Sequence, residues 1–263
     1  MYGSEESDLI VKFYDLAFGI QGEFEAAWYL NKVKKYGGPV LDLACGTGRM
    51  AIIIAQAGFK VVGIDQSEGM LKIFRRSMEE QPIQIRNRIS ILKQDMIEFN
   101  LRRKFNTIFC CDAFFHNLSV KDEMDCLTRV ADHLAEGGGF FFNLPNPNCE
   151  YILKSEKSGG QIFEERGRYR LPDHEDLLIV EQAQDVNPLK QIITTTLRFA
   201  ILDPEGNQKQ LGTSSWKSRY LFKYEAIHLL YRCGFEIKSL VGDYQEGPVN
   251  KGSQLIFEAG LKQ

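Results

Sequence analysis

The chain has little of what builds metal sites or disulfide frameworks. Its six cysteines, at 45, 110, 111, 126, 149 and 233, form no C-x-x-C pair, and its four histidines, at 116, 133, 174 and 228, show no zinc-type spacing. No metal is expected. Cys110 and Cys111 fall inside an apolar run, where thiols act as small buried hydrophobes in a reducing compartment. An excess of one charge is also missing, since 32 Lys and Arg against 35 Asp and Glu leave a formal net charge of −3. General attraction to nucleic acid or to an anionic membrane is therefore not expected. No apolar run is long enough to span a bilayer, and the opening Met1-Tyr2-Gly3-Ser4-Glu5-Glu6-Ser7-Asp8 is polar and acidic rather than basic then apolar. Nothing marks export or membrane insertion, and a cytoplasmic location is expected. What remains, 44% hydrophobic and 25% charged residues over 263 positions, is ordinary for one large globular domain or a domain carrying an insertion.

The informative run is Pro39-Val40-Leu41-Asp42-Leu43-Ala44-Cys45-Gly46-Thr47-Gly48-Arg49, an apolar strand carrying one acid that breaks into a glycine turn before a helix. Glycines 46 and 48 let the backbone turn sharply and let a ligand approach the main chain and the helix N-terminus. A second strand, Lys60-Val61-Val62-Gly63-Ile64, ends on Asp65, at about the 20-residue spacing where an acid takes ribose hydroxyls. Together they describe a nucleoside-cofactor pocket. Gly46-Thr47-Gly48-Arg49-Met50-Ala51 also satisfies the G-x-G-x-x-A dinucleotide pattern, so a nicotinamide-dependent oxidoreductase is an alternative. Asp42 opposes it. Its carboxylate belongs near the place of a pyrophosphate, where anion would face anion, whereas an ammonium and a sulfonium cation would be favoured there.

Val40 to Arg49 resembles motif I of the class I S-adenosylmethionine-dependent methyltransferases, and later elements resemble that family in order. Asp65, Gln66 and Ser67-Glu68-Gly69-Met70-Leu71 are similar to the end of strand 2 and the opening of the next helix. Ile89 to Met96 resembles strand 3 with its terminal acid, Phe105 to Asp112 resembles strand 4, and Leu134 to Phe142 resembles the approach to strand 5, with Glu136 in place of the usual proline. The likeness covers Leu9 to about Pro145 and resumes at Tyr220. It implies S-adenosyl-L-methionine as cofactor, with contacts from Asp42, Ala44, Cys45, Gly46 and Gly48, from Asp65, Gln66 and Met70, from Asp95 and Met96 at the adenine, and from Asp112. Tyr14, within Phe13-Tyr14-Asp15, resembles a tyrosine that closes over the donor in small-molecule methyltransferases.

From Val40 to Phe142 apolar strands alternate with helical segments at Met50–Gln56, Ser67–Glu79 and Lys121–Ala135, a pattern that requires a parallel sheet covered on both faces. The ends Cys45, Asp65, Asp95 and Asp112 then share one carboxyl edge, where such sheets bind ligands. The expected fold is an α/β, Rossmann-like, seven-stranded, mostly parallel doubly wound sheet with an inserted antiparallel β meander. Residues 1–38 are expected to hold N-terminal helices and 39–145 the cofactor-binding core. Residues 146–219 read as the inserted substrate subdomain, and 220–263 as a closing helix and hairpin. In the insertion no helix is read. Ile193, Thr195, Leu197, Phe199 and Ile201 alternate with Thr194, Thr196 and Arg198 between turn signals at Asn187-Pro188 and Asp203-Pro204-Glu205-Gly206-Asn207.

Methyl transfer from a sulfonium is an in-line displacement, so the protein aligns groups, excludes water and helps a proton leave. His116, just past strand 4, is the candidate base, since its near-neutral pKa suits that task; the bland reading is a pocket-lining or capping residue. Tyr14 is the second catalytic candidate. Arg49 reads equally as a contact to the methionine carboxylate or as a surface side chain. Trp216, Arg219 and Tyr220 are candidates for an acceptor wall or for plain packing, and Asp243-Tyr244, after strand 6, reads as a segment that can reach the pocket or, more simply, as an exposed turn. His133 and His228 read as structural and His174 as an exposed turn residue. The expected activity is methyl transfer to nitrogen or oxygen of a small-molecule acceptor, with a non-catalytic cofactor-binding module as a further alternative.

Overall fold

The computed structural model describes residues 8–18, 23–172 and 174–262, and the chain divides into two compact units. In chain order it forms α1 (Leu9–Phe18), α2 (Glu23–Tyr36), β1 (Val40–Leu43), α3 (Arg49–Gln56), β2 (Val61–Asp65), α4 (Glu68–Glu79), α5 (Ile83–Arg86), β3 (Ile89–Lys93) and β4 (Phe105–Cys110). There follow α6 (Val120–His133), β5 (Leu134–Pro145), α7 (Cys149–Ser158), β6 (Glu164–Arg170), β7 (Leu177–Asn187), β8 (Ile192–Leu202) and β9 (Gln208–Arg219). The chain closes with α8 (Lys223–Arg232), β10 (Phe235–Val241) and β11 (Gln254–Leu261).

The larger unit, residues 22–147 with 220–263, contains a seven-stranded sheet of order β10-β11-β5-β4-β1-β2-β3. β1 to β5 run parallel, while β11 pairs antiparallel with β5 and β10 antiparallel with β11, as the closing hairpin requires. Both faces are covered. Successive residues of β5 serve opposite cores: Phe140, Phe142 and Leu144 pack with Leu127 and Val130 of α6 and Leu229 and Leu230 of α8. Phe141 packs instead with Trp28 and Val33 of α2, Met50 and Ile54 of α3, and Phe74 of α4. This is why these strands are apolar without alternation, for each side chain enters a core whichever way it points. Helix starts are set by side chains that satisfy orphan amides: Ser67 Oγ accepts from Met70 N–H at 3.3 Å and Ser119 Oγ from Asp122 N–H at 3.1 Å. No described helix is long and apolar enough to cross a membrane.

The chain order of the strands reverses between β1 and β4, which lie side by side. Beyond their carboxyl ends an open α/β sheet leaves a crevice.

In the smaller unit, β6-β7-β8-β9 form an antiparallel meander. Thr195, Leu197 and Phe199 of β8 are buried while Thr194, Thr196 and Arg198 are half-buried, matching the alternation read from the sequence. Asp203 Oδ1 accepts from Asn207 N–H at 2.7 Å in the β8–β9 turn. Two features differ from expectation. The insertion opens with α7, capped by Asn148, whose Oδ1 accepts from the amides of Glu150 and Tyr151. The N-terminal helices also part company: α1 packs on the inserted sheet, its Phe13 ring 5.8 Å from Phe199 and its Ile10 N–H donating to Ser214 Oγ at 3.3 Å, whereas α2 belongs to the core. The span 1–38 is therefore not one unit. An apolar stripe read along a helix shows that it packs but not against which sheet.

Candidate cofactor site at the edge of the core sheet

The loop after β1 is built from left-handed residues: Ala44 at φ 55°, Gly46 at 54° and Gly48 at 83°. A Cβ on Gly46 would meet nothing within 4 Å, so this part of the loop borders open space, whereas one on Gly48 would collide with the Phe74 ring. Glycine is needed at 48 for packing as well as for backbone conformation.

The acids of the motif occupy the loop. Asp65 Oδ2 accepts from the Gly46 N–H at 2.9 Å and Oδ1 from the Ser67 N–H at 2.8 Å. Burial raises the Asp65 pKa and those backbone donors oppose it. Asp42 is only 2% exposed, and its Oδ2 has no hydrogen-bond partner among the described residues. Burial, reinforced by the charge of Asp65 and opposed by Arg49, raises its pKa well above the ordinary range. A buried oxygen of this kind calls for a cation or a donor. The Gly46 amide, by contrast, is committed to a carboxylate and not offered to a phosphate. These observations fit a cofactor with a positive centre and oppose a pyrophosphate-bearing one.

The other expected contact residues line the same edge of the core or its immediate support. Cys45 and Met70 are buried and Gln66 is half-buried; Met70 N–H is the donor held by Ser67. Asp95 follows β3, half-buried, with Oδ1 accepting from Ile97 N–H at 3.1 Å, and Met96 packs into the core beside it. Asp112, beyond the end of β4, has φ 49°, and its N–H donates to Asn143 Oδ1 at 2.8 Å while Asn143 Nδ2 donates to its Oδ1. Burial, then the nearby charge of Glu25, pushes Asp112 up to about 6.

Behind Asp112 lies a polar cluster that the sequence reading missed. Glu25 of α2 is fully buried; its Oε2 pairs with Arg49 Nη2 at 2.8 Å, and its Oε1 accepts from Cys111 Sγ at 3.1 Å and Tyr244 Oη at 3.2 Å. Asn143 ties this cluster to β11 and α2, Nδ2 donating to Gln254 Oε1 at 3.0 Å and Oδ1 accepting from Tyr29 Oη at 3.4 Å. Ligand atoms of Glu25, Cys111 and Asp112 all lie within 4.8 Å of one another, and the Arg49 guanidinium already brings one positive charge to them. Tyr244 is thus no exposed turn residue; it packs on Trp28 and Tyr29 with ring centroids 5.9 Å away in each case. The available signal was helical spacing, since Glu25 falls on the stripe of Trp28, Tyr29 and Val33.

His116 stands half-buried at the end of a 3₁₀ turn, Phe114–His116, after β4, its ring 4.7 Å from that of Phe115. Tyr14 belongs to the smaller unit, where its ring stacks on Phe18 at 5.4 Å. In the same unit Trp216 meets Phe18 edge-on at 6.3 Å and Arg219 is 5% exposed, donating to Gln191 Oε1 at 2.8 Å. His133 is structural: Nε2 accepts from Leu101 N–H at 2.9 Å and Nδ1 meets Arg129 O at 2.7 Å. His228 and His174 are exposed.

Sheet order, glycine loop and acid-lined edge define the class I methyltransferase type of nucleoside-cofactor fold. Residues 40–138 match the methyltransferase domain family. A Bacillus subtilis protein named as methyltransferase YqeM is 25% identical over 234 residues, covering 84% of this chain and 83% of its own. The CcbJ methyltransferase of Streptomyces caelestis superposes with TM-score 0.75 at 20% identity over 98% of both chains. The glycopeptide N-methyltransferase MtfA, solved with S-adenosyl-L-methionine, gives TM-score 0.59 at 21% identity over 93% of this chain and 96% of its own. Residues 40–138 thus carry a methyltransferase domain, within a chain whose fold is that of S-adenosylmethionine-dependent methyltransferases of known structure.

Proposed function

We propose that this chain is an S-adenosylmethionine-dependent methyltransferase that moves the methyl group to a nitrogen or oxygen of a small-molecule acceptor. The observation that carries the donor side is the buried, unsatisfied Oδ2 of Asp42 beside a glycine loop whose Gly46 N–H is held by Asp65. When bound, the cofactor supplies an electrophilic methyl on a sulfonium. Asp42 with the loop residues Ala44, Cys45, Gly46 and Gly48 would border its charged end, Asp65 and Gln66 its ribose, and Asp95, Met96 and Met70 its adenine. Asp112 would complete the methionine side. His116 would take the proton that a hydroxyl or ammonium acceptor must lose, and Tyr14 would close over the donor.

A small acceptor is favoured over nucleic acid by the net charge of −3. Trp216 and Arg219 of the insertion would act as selectors of the acceptor. Six thiols outside any disulfide favour a reducing, cytoplasmic setting.

Calorimetry with S-adenosylhomocysteine, followed by a screen of metabolite extracts for labelled methyl incorporation, tests the proposal. Micromolar binding and a labelled small molecule are expected. No binding at millimolar concentration would overturn the donor site, and binding without any labelled product would favour a cofactor-binding module. Titration with NAD is expected to give no binding.

A further inference from the structure

We infer that Glu25 is a positioning residue that holds Arg49 ready for the carboxylate at the amino-acid end of the donor. The inference rests on the donor site proposed above and adds the recognition of its zwitterionic end.

Arg49 is the first residue of α3, directly after Gly48, at the crevice between the ends of β1 and β4. Its charge is felt by Asp42 on one strand and by Cys111 and Asp112 beyond the other. The guanidinium and the helix N-terminus both favour an anion there, and each guanidinium has five N–H donors in a planar fork. Glu25 takes a bond from Nη2, and the Arg49 side chain remains 30% exposed, which leaves part of the fork for a second anion. The carboxyls of Asp42 and Asp112 both feel the charge of that guanidinium and suit an ammonium. A crevice that offers one cation and two carboxyls in this arrangement matches an α-amino acid, whose carboxylate and ammonium are separated by a single carbon.

Glu25 makes this arrangement rigid. Both of its oxygens are engaged, one by Arg49 and the other by Cys111 and Tyr244, and it has no exposed surface. A carboxylate so deep in the core persists only when paired, so the arginine and the acid fix each other. The long arginine side chain then meets its ligand without losing rotamer freedom at that moment.

The test compares two ligands of the full chain by calorimetry: S-adenosylhomocysteine, and 5′-methylthioadenosine, which lacks the amino-acid end. Arg49→Met and Glu25→Gln are each expected to weaken S-adenosylhomocysteine by about 10- to 100-fold, the loss of a charge-assisted hydrogen bond. Methylthioadenosine affinity is expected to stay within about 3-fold, and the double variant to be no weaker than Arg49→Met alone, since the acid acts through the arginine. Glu25→Asp, which keeps the charge and withdraws it by one methylene, carries the same comparison where Glu25→Gln does not fold. Equal losses for both ligands, or full affinity in the Glu25 variants, would overturn the inference while leaving the donor site intact. A wild-type chain that binds neither ligand would overturn both.

Discussion

The Phe74 ring of α4 occupies the place where a side chain on Gly48 would begin, and Gly48 holds φ at 83°. The helix that follows strand β2 thereby dictates the residue that ends the loop after strand β1. Gly48→Ala is expected to cost roughly 1–3 kcal/mol from overpacking, with about 1–2 kcal/mol more from the left-handed backbone. A thermal melt should show the lowered stability and calorimetry the weakened S-adenosylhomocysteine binding; an unchanged melt would contradict the packing.

Asp65→Ala should weaken donor affinity by roughly 1.5–3 kcal/mol, the range for hydrogen bonds to a charged group. The Gly46 and Ser67 amides lose their acceptor in the same change, so a lower melting temperature accompanies it. Unaltered affinity by calorimetry would remove Asp65 from the ribose.

His116→Ala should reduce turnover by about 10²–10⁴-fold, the ordinary range for a positioned base, with little change in S-adenosylhomocysteine affinity. Equal turnover of both proteins on the identified acceptor would take His116 out of the chemistry.

Glu258 of β11 supplies the pH dependence. Burial pushes its carboxyl up, but Lys32 at 2.8 Å, Lys35 at 2.7 Å and the Tyr36 hydroxyl at 2.7 Å overcome that and hold it at about 2. A carboxyl depressed on folding contributes stability above its unfolded pKa, near 4.5, and loses it as pH falls toward 2. Wild type should therefore melt above Glu258→Gln at neutral pH, and the gap should close between pH 4.5 and 2. A gap independent of pH would show that the ion pairs contribute nothing.

The glycine loop, the acids at the strand ends and the closing hairpin were legible because each has a local signature: a glycine pattern, an apolar run ending on a carboxylate, a change of hydrophobic period. Partnership was not. Leu9, Phe13 and Leu16 announce a helix without saying that it lies on the inserted sheet rather than beside α2. The α7 helix carried its signals, Asn148 before and Gly159 after, yet its exposed Tyr151 and Leu153 blur the apolar stripe. Glu25 was passed over because an acid on an apolar stripe looks like an interruption, and its three partners come from α3, the end of β4 and the loop after β10, which only the folded chain assembles.

Asn143 is an amide used in both senses, its nitrogen giving to Asp112 and Gln254 while its oxygen receives from the Asp112 backbone and Tyr29. Its isosteric acid would keep the shape and forfeit both donations, setting a new negative charge against a carboxylate. Asn143→Asp should therefore melt well below the parent protein in a thermal scan.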